Sequence, residues 1–221
     1  MYVKIIEPRR VRVLLSGGLD STVCLAWALD NFGREATEAL SVLYGQRHAR
    51  EVAAARSIAR TLRVPWALVE IPTMGDSGLT TSVGLPLTGK HAVVPGRNRV
   101  LLEVAASLVL APMHPWQPMT PTDLVFGACR DDWELFSDCR PDFFAEVRQG
   151  WPQGPTLHTP VIDKTKREVV ELAHELGASS LLSMTWSCYL GGAEPCGTCL
   201  ACTTRAAGFA GAEAARARSH P

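Results

Sequence analysis

Arg12-Val13-Leu14-Leu15-Ser16-Gly17-Gly18-Leu19-Asp20-Ser21 is the stretch that decides the fold. Arg12 to Leu15 is a short, mostly apolar run that ends at a Ser-Gly-Gly turn. From Ser21 to Asp30, Val23, Ala26 and Trp27 are spaced to share one side of a helix. The unit is strand, glycine-rich turn, helix. A Gly-Gly turn lets successive backbone N–H groups converge, and the helix after it presents its positive end. Ser16 and Ser21 add hydroxyl donors. Together they form an anion cradle where a nucleotide's phosphates would go. Its spacing is not the dinucleotide-binding fingerprint, and it lacks the lysine of the P-loop. The plain alternative is a tight turn capped by Asp20 or Ser21.

The alternation continues outward. Ala39 to Tyr44 (ALSVLY) reads as a second strand. Ala49 to Leu62 reads as a helix, with Val52, Ala55, Ile58, Ala59 and Leu62 recurring at three and four, and Pro65 marks its end. Ala67 to Ile71 is a third strand. Thr73 to Gly96 holds five glycines and no periodicity, and reads as a long functional or disordered loop. Arg97 to Ala111 returns to helix, Pro112 to Pro121 is a connector, and Leu124 to Ala128 is a fourth strand. Pro141 to Gln149 and Lys164 to Leu176 are helices, the second stopped by Gly177. Strands alternating with helices predict an α/β, doubly wound parallel sheet, with ligands at the carboxyl ends of its strands. The expected division is a nucleotide-binding part over 1–180, a small metal-binding segment over 181–210, and a frayed tail over 211–221.

Composition narrows the partners. The chain has 221 residues, enough for one ordinary core, and its 22 basic and 22 acidic residues cancel. A balanced chain does not advertise stable nucleic-acid binding, which comes mostly from uncompensated Lys and Arg. No apolar run reaches the ~18 residues that span a bilayer. The first ten residues carry Lys4, Glu7, Arg9 and Arg10 in place of a signal peptide's apolar stretch. The expectation is a soluble cytoplasmic protein.

Four of the seven cysteines, Cys188, Cys196, Cys199 and Cys202, fall within fifteen residues. A C-x7-C-x2-C-x2-C cluster without a secretion signal favours a metal over disulfides. Four thiolates close a tetrahedral site around Zn²⁺ at about 2.3 Å each, with no open position for water, so the metal would be structural. An iron–sulfur cluster is the chemical competitor.

The string Ser16-Gly17-Gly18-Leu19-Asp20-Ser21 resembles the pyrophosphate loop of the N-type ATP pyrophosphatases. Further strings widen the resemblance. They are Tyr44-Gly45-Gln46-Arg47-His48, Val94-Pro95-Gly96-Arg97-Asn98, Asp138-Cys139-Arg140-Pro141, His158-Thr159-Pro160, and Thr185-Trp186-Ser187-Cys188-Tyr189 running into the cysteine cluster. In this order, over nearly the whole chain, they resemble the 7-cyano-7-deazaguanine synthase family. That resemblance implies an adenine nucleotide alpha-hydrolase-like fold and a homodimer. It also implies a reaction in which ATP, with Mg²⁺, adenylates 7-carboxy-7-deazaguanine. Ammonia then gives the amide, and a second activation gives the nitrile.

The resemblance implies roles residue by residue. Ser16, Gly17, Gly18, Leu19, Asp20 and Ser21 would hold phosphate and help place Mg²⁺, with Tyr44, Gln46 and Arg47 beside the nucleotide. Arg97 and Asn98 would face the substrate or nucleotide, and Lys164 would reach phosphate or adenylate. Ser16, Asp20, Ser21, Arg97 and Lys164 are the candidate catalytic residues. Asp138 and Asp132 fall in the family's substrate region. There the family's Asn and Tyr are replaced by Cys129 and Trp133, and a Gly by Leu135. Cys cannot replace an amide's paired donor and acceptor. Three products are therefore open: the nitrile, the amide, or a conjugate with a protein amine, as in relatives that look like antiviral ligases.

Overall fold

The computed structural model describes residues 9–46, 49–75, 77, 79–80, 92–110, 122–151 and 154–219. Five strands form one parallel sheet: β1 (Arg10–Leu14), β2 (Thr37–Leu43), β3 (Trp66–Glu70), β4 (Thr122–Val125) and β5 (Leu157–His158), in the order β3-β2-β1-β4-β5. The helices are α1 (Leu19–Phe32), α2 (Ala49–Leu62), α3 (Arg97–Leu110), α4 (Pro141–Gln149), α5 (Lys166–Glu175), α6 (Ser179–Leu182) and α7 (Leu200–Ser219). The doubly wound α/β sheet expected from the strand–helix alternation is present.

The central strands are buried on both faces, as parallel sheets are, whereas the edge strand β3 is partly exposed. Val11, Val13 and Val125 join Leu25 of α1, Ile58 of α2 and Val169 of α5 in one cluster. Leu40 and Leu124 join Leu102 of α3 and Phe144 of α4 in the other. Neighbouring residues of one strand thus feed opposite cores, and this is why the strands read as near-continuous apolar runs.

Two expectations need correction. The fourth predicted strand stops at Val125: Phe126 N–H still donates to the His158 carbonyl at 3.0 Å, but Gly127 to Cys129 turn away into a 3₁₀ turn at Arg130–Asp132. The tail expected to fray from Gly211 is the second half of α7. Its alanines are the strongest helix formers, and its glycines let it lie close on α5. A Cβ on Gly208 would sit 2.7 Å from Lys166 Cβ, and one on Gly211 would sit 3.2 Å from Arg167 Cδ. Most of the predicted 73–96 loop and the 112–121 connector lie outside the described residues.

Candidate functional site

The sheet reverses its winding between β1 and β4, so the chain leaving each strand turns away from the other and opens a crevice. The loop after β1 lines it. Ser16 N–H donates to Ser21 Oγ at 3.2 Å, the two hydroxyls lie 3.0 Å apart, and Gly18 N–H donates to Ser16 Oγ at 3.1 Å. Gly17 has φ +92°, and a Cβ there would lie 2.1 Å from the Glu51 carbonyl oxygen. The loop is pressed onto the start of α2 at a distance only glycine allows. No side chain caps α1, so its positive end is available to an anion; neither Asp20 nor Ser21 is the cap.

Opposite the loop, Lys166 at the start of α5 donates to Asp20 Oδ2 at 2.6 Å and to Asp132 Oδ2 at 3.2 Å. Cys129 Sγ lies 3.4 Å from the same Asp132 oxygen and is fully buried. Burial alone would depress the lysine's pKa, but Asp20, Asp132 and Cys129 outweigh it and raise it well above the ordinary value. Lys166 is therefore a fixed positive charge. Burial raises the Asp20 pKa, Lys166 opposes that, and Asp132 adds to it. Burial likewise pushes the Cys129 thiol up. Asp20 Oδ1 is buried and has no hydrogen-bond partner among the described residues.

A cavity of about 220 Å³ joins these groups. Ser16, Gly18, Leu19, Asp20, Ser21, Tyr44, Gln46, Arg97, Asn98, Asp132 and Lys166 all line it. Gln46 shapes the turn after β2: its Oε1 accepts from Tyr44 N–H at 2.7 Å. Asn98 Oδ1 accepts from Arg97 Nε at 3.0 Å, and Asp138 Oδ2 accepts from Asn98 N–H at 3.3 Å. Burial opposes the charge on Arg97, but Tyr44, Cys139 and Asp138 raise its pKa further.

Other expected residues stand elsewhere. Gly17 is behind the loop, Asp138 acts through Asn98, and Cys129 contacts Asp132 without lining the cavity. Trp133 packs into the second core, with its indole N–H buried and unpartnered among the described residues. Arg47 lies outside the described residues. Lys164 is a correction: it sits in the turn before α5, where its carbonyl accepts from Arg130 N–H at 2.9 Å, and Lys166 is the lysine in the cavity. Thr165 caps α5 reciprocally with Glu168, so the helix starts at Lys166, two residues later than its apolar periodicity suggests. That Thr-x-x-Glu pattern was the signal for the right lysine. Tyr189 and Arg205 also line the cavity, and nothing local in the sequence announces Arg205.

The four clustered cysteines place their sulfurs within 4.8 Å of one another. Cys196 and Cys202 sulfurs lie 3.9 Å apart, close to the ~3.8 Å edge of a tetrahedron with 2.3 Å metal–sulfur bonds. Cys196 N–H lies 3.4 Å from Cys188 Sγ, and Cys199 N–H lies 3.3 Å from Cys196 Sγ. Backbone donors, first from Cys199 and then from Thr198, lower the Cys196 thiol to about 6, whereas burial raises Cys202 to about 12. The donor set can hold a metal ion.

No helix among the described residues is long and apolar enough to cross a membrane. A 7-cyano-7-deazaguanine synthase of Laribacter hongkongensis is 37% identical over 92% of this chain and 91% of its own. One of Synechococcus elongatus is 39% identical over 87% of each chain. Among solved structures, the U34-tRNA thiolase NcsA of Methanococcus maripaludis, described with its [4Fe-4S] cluster, aligns with a TM-score of 0.48 at 16% identity. It covers 97% of this chain and 67% of that one. The family described as queuosine biosynthesis protein QueC matches residues 10–213, and the chain belongs to that family.

Proposed function

We propose that this chain is an ATP-dependent C–N ligase that converts 7-carboxy-7-deazaguanine to 7-cyano-7-deazaguanine with ammonia as nitrogen donor. One observation carries the reading. The uncapped loop after β1 and the buried Lys166 face one cavity in a chain that matches the family over 10–213. A carboxylate is a poor electrophile. Transfer of AMP to it turns the carboxyl oxygen into part of a good leaving group, and pyrophosphate departs.

Gly18 N–H and the Ser16 and Ser21 hydroxyls would hold the departing phosphates. Lys166, charged throughout, would stabilise the negative charge that develops there. Arg97, held by Asn98 and Asp138, would orient the substrate carboxylate. Asp20 and Asp132 offer the hard carboxylate oxygens that Mg²⁺ takes, and Asp20 Oδ1 is buried without a hydrogen-bond partner among the described residues. When bound, Mg²⁺ would neutralise pyrophosphate as it leaves. Zn²⁺ is the ion that best suits the four sulfurs, in a closed structural site. The family's homodimer is extended to this chain as well, and light scattering would give its mass.

The test is mass spectrometry of the product from 7-carboxy-7-deazaguanine, ATP, Mg²⁺ and ammonium. Nitrile with AMP release is expected. Amide alone would mean that the second activation is missing. AMP release only with an added protein amine would replace ammonia as the acceptor, and no AMP release would overturn the reading.

A further inference from the structure

The segment between α6 and α7 touches the phosphate loop from behind. Trp186 N–H donates to the Gly17 carbonyl at 2.9 Å. That carbonyl and the Gly18 N–H belong to one planar trans peptide, so they point in opposite directions. Fixing the carbonyl to Trp186 therefore fixes where the Gly18 N–H points, which is toward Ser16 Oγ on the cavity side. Gly17 has the conformational freedom to let this peptide rotate if nothing holds it.

The Trp186 indole N–H donates to the Cys188 carbonyl at 2.9 Å. Arg205, on the second turn of α7, holds the residues on either side of Trp186. Its Nη1 donates to Thr185 Oγ1 at 2.6 Å and reaches Ser187 Oγ at 3.4 Å, and its Nη2 donates to the Leu182 carbonyl at 2.8 Å. The guanidinium lies 4.9 Å from the Phe209 ring centre. Arg50 lies over the Trp186 ring at 5.1 Å. Arg205 follows Cys202 by three residues, and Ser187 immediately precedes Cys188. The cysteine cluster thus ties the C-terminal end of the strap to the start of α7, the helix that carries Arg205.

From these contacts we infer that Arg205 is a positioning residue. It clamps the Leu182–Ser187 strap, the strap orients the Gly17–Gly18 peptide, and the affinity for ATP depends on that orientation. The inference rests on the reading of the loop as the ATP site. Lysine could keep the charge but not the three-way fork.

The test measures binding of a non-hydrolysable ATP analogue by calorimetry, with metal analysis of each protein, for Arg205→Met, Arg205→Lys, Thr185→Val and the Arg205→Met/Thr185→Val double variant. With metal content unchanged, Arg205→Met is expected to weaken binding about tenfold and Thr185→Val about threefold. Arg205→Lys should recover little, and the double variant should be no weaker than Arg205→Met. Unchanged affinity in both single variants overturns the inference. Losses that multiply in the double variant also overturn it, because Arg205 would then be touching the nucleotide itself. If Arg205→Met loses its metal or its fold, Thr185→Val decides alone, since valine matches threonine's shape and leaves the cysteines intact. A wild-type protein that binds no analogue removes the ATP reading and this inference with it, whereas wild-type binding with unaffected variants removes this inference only.

Discussion

The loop after β1 and the segment after β4 leave neighbouring strands at the same end of the sheet and face one crevice, yet they are shaped by different atoms. The first is set mainly by backbone: Gly17 is pressed on the Glu51 carbonyl and the start of α1 has no side-chain cap, with the short Ser16 and Ser21 hydroxyls closing the turn. The second is set by side chains: Cys129 on Asp132, Asp138 on Asn98, and Arg140 Nε on the Trp133 carbonyl at 2.8 Å. A site made of backbone tolerates almost no change in sequence. One made of side chains can exchange members while the fold stays.

The strongest way to break this contrast is Gly17→Ala. A Cβ at φ +92° and 2.1 Å from a backbone oxygen cannot be relieved by turning a side chain. The variant should lose roughly 3 kcal/mol of stability and all measurable binding of an ATP analogue, read by thermal denaturation and calorimetry. Retention of both would mean that the loop can be rebuilt and that its geometry is not decisive.

Lys166→Met is the next largest. It removes the positive charge between Asp20 and Asp132 without removing bulk, and AMP release should fall about 10²–10³-fold. The pH dependence has a defined sign. Burial and Asp132 already raise the Asp20 pKa, and only Lys166 opposes them strongly. Without the lysine, Asp20 should rise further, so the acid limb of the pH–rate profile should move to higher pH. A limb that stays in place would show that Asp20 need not be ionised for the reaction.

The same contrast explains what could be read from the sequence. The strand–turn–helix at Arg12–Ser21 and the four clustered cysteines were legible because each is encoded locally, by glycines or by ligand spacing. Helices Ala49–Leu62 and Pro141–Gln149 came out with the right bounds because proline and apolar periodicity fix them. Strand β5 has two residues and α6 has four, too short for any period to show. α7 was missed because its alanines and glycines carry no apolar stripe, and its place is set by close packing on α5. Lys166 and Arg205 reach the cavity from elements distant in sequence, and only tertiary packing brings them there. Gly127 belongs with them: a Cβ on it would lie 2.8 Å from Ser21 N, so the segment after β4 leans on the first turn of α1 in a way no local string reveals.

Cys129→Asn should be milder and sharpens the comparison from the other side. The thiol is fully buried and bonds weakly to Asp132. An amide would donate more strongly there but must also satisfy its own oxygen. Stability should change by about 1 kcal/mol, and the rate by less than about tenfold. The ratio of nitrile to amide, followed by mass spectrometry, is the revealing quantity. A shift toward one product would make this segment the determinant of how far the reaction runs, and a constant ratio would make the exchange drift.

Thr165→Ala is expected to have the smallest effect, and it contrasts two helix starts. α1 opens onto the cavity uncapped, whereas α5 opens with Thr165 Oγ1 accepting from Glu168 N–H at 3.3 Å and the Glu168 carboxylate accepting from Thr165 N–H at 2.7 Å. Losing half of that box should cost about 1 kcal/mol. The bonds from Thr165 hold the Glu168 carboxyl below its ordinary 4.5. A depressed carboxylate contributes stability above its unfolded pKa and loses it as pH falls through the folded one. Wild type and variant should therefore differ at neutral pH and draw closer as the pH drops below that value, measured by denaturant midpoints across pH. Activity should fall only a few-fold, because Lys166 N–H is held separately by Asp131 Oδ2 at 2.8 Å. A loss as deep as that of Lys166→Met would mean that the cap, more than the Asp20 and Asp132 carboxylates, decides where the ammonium stands.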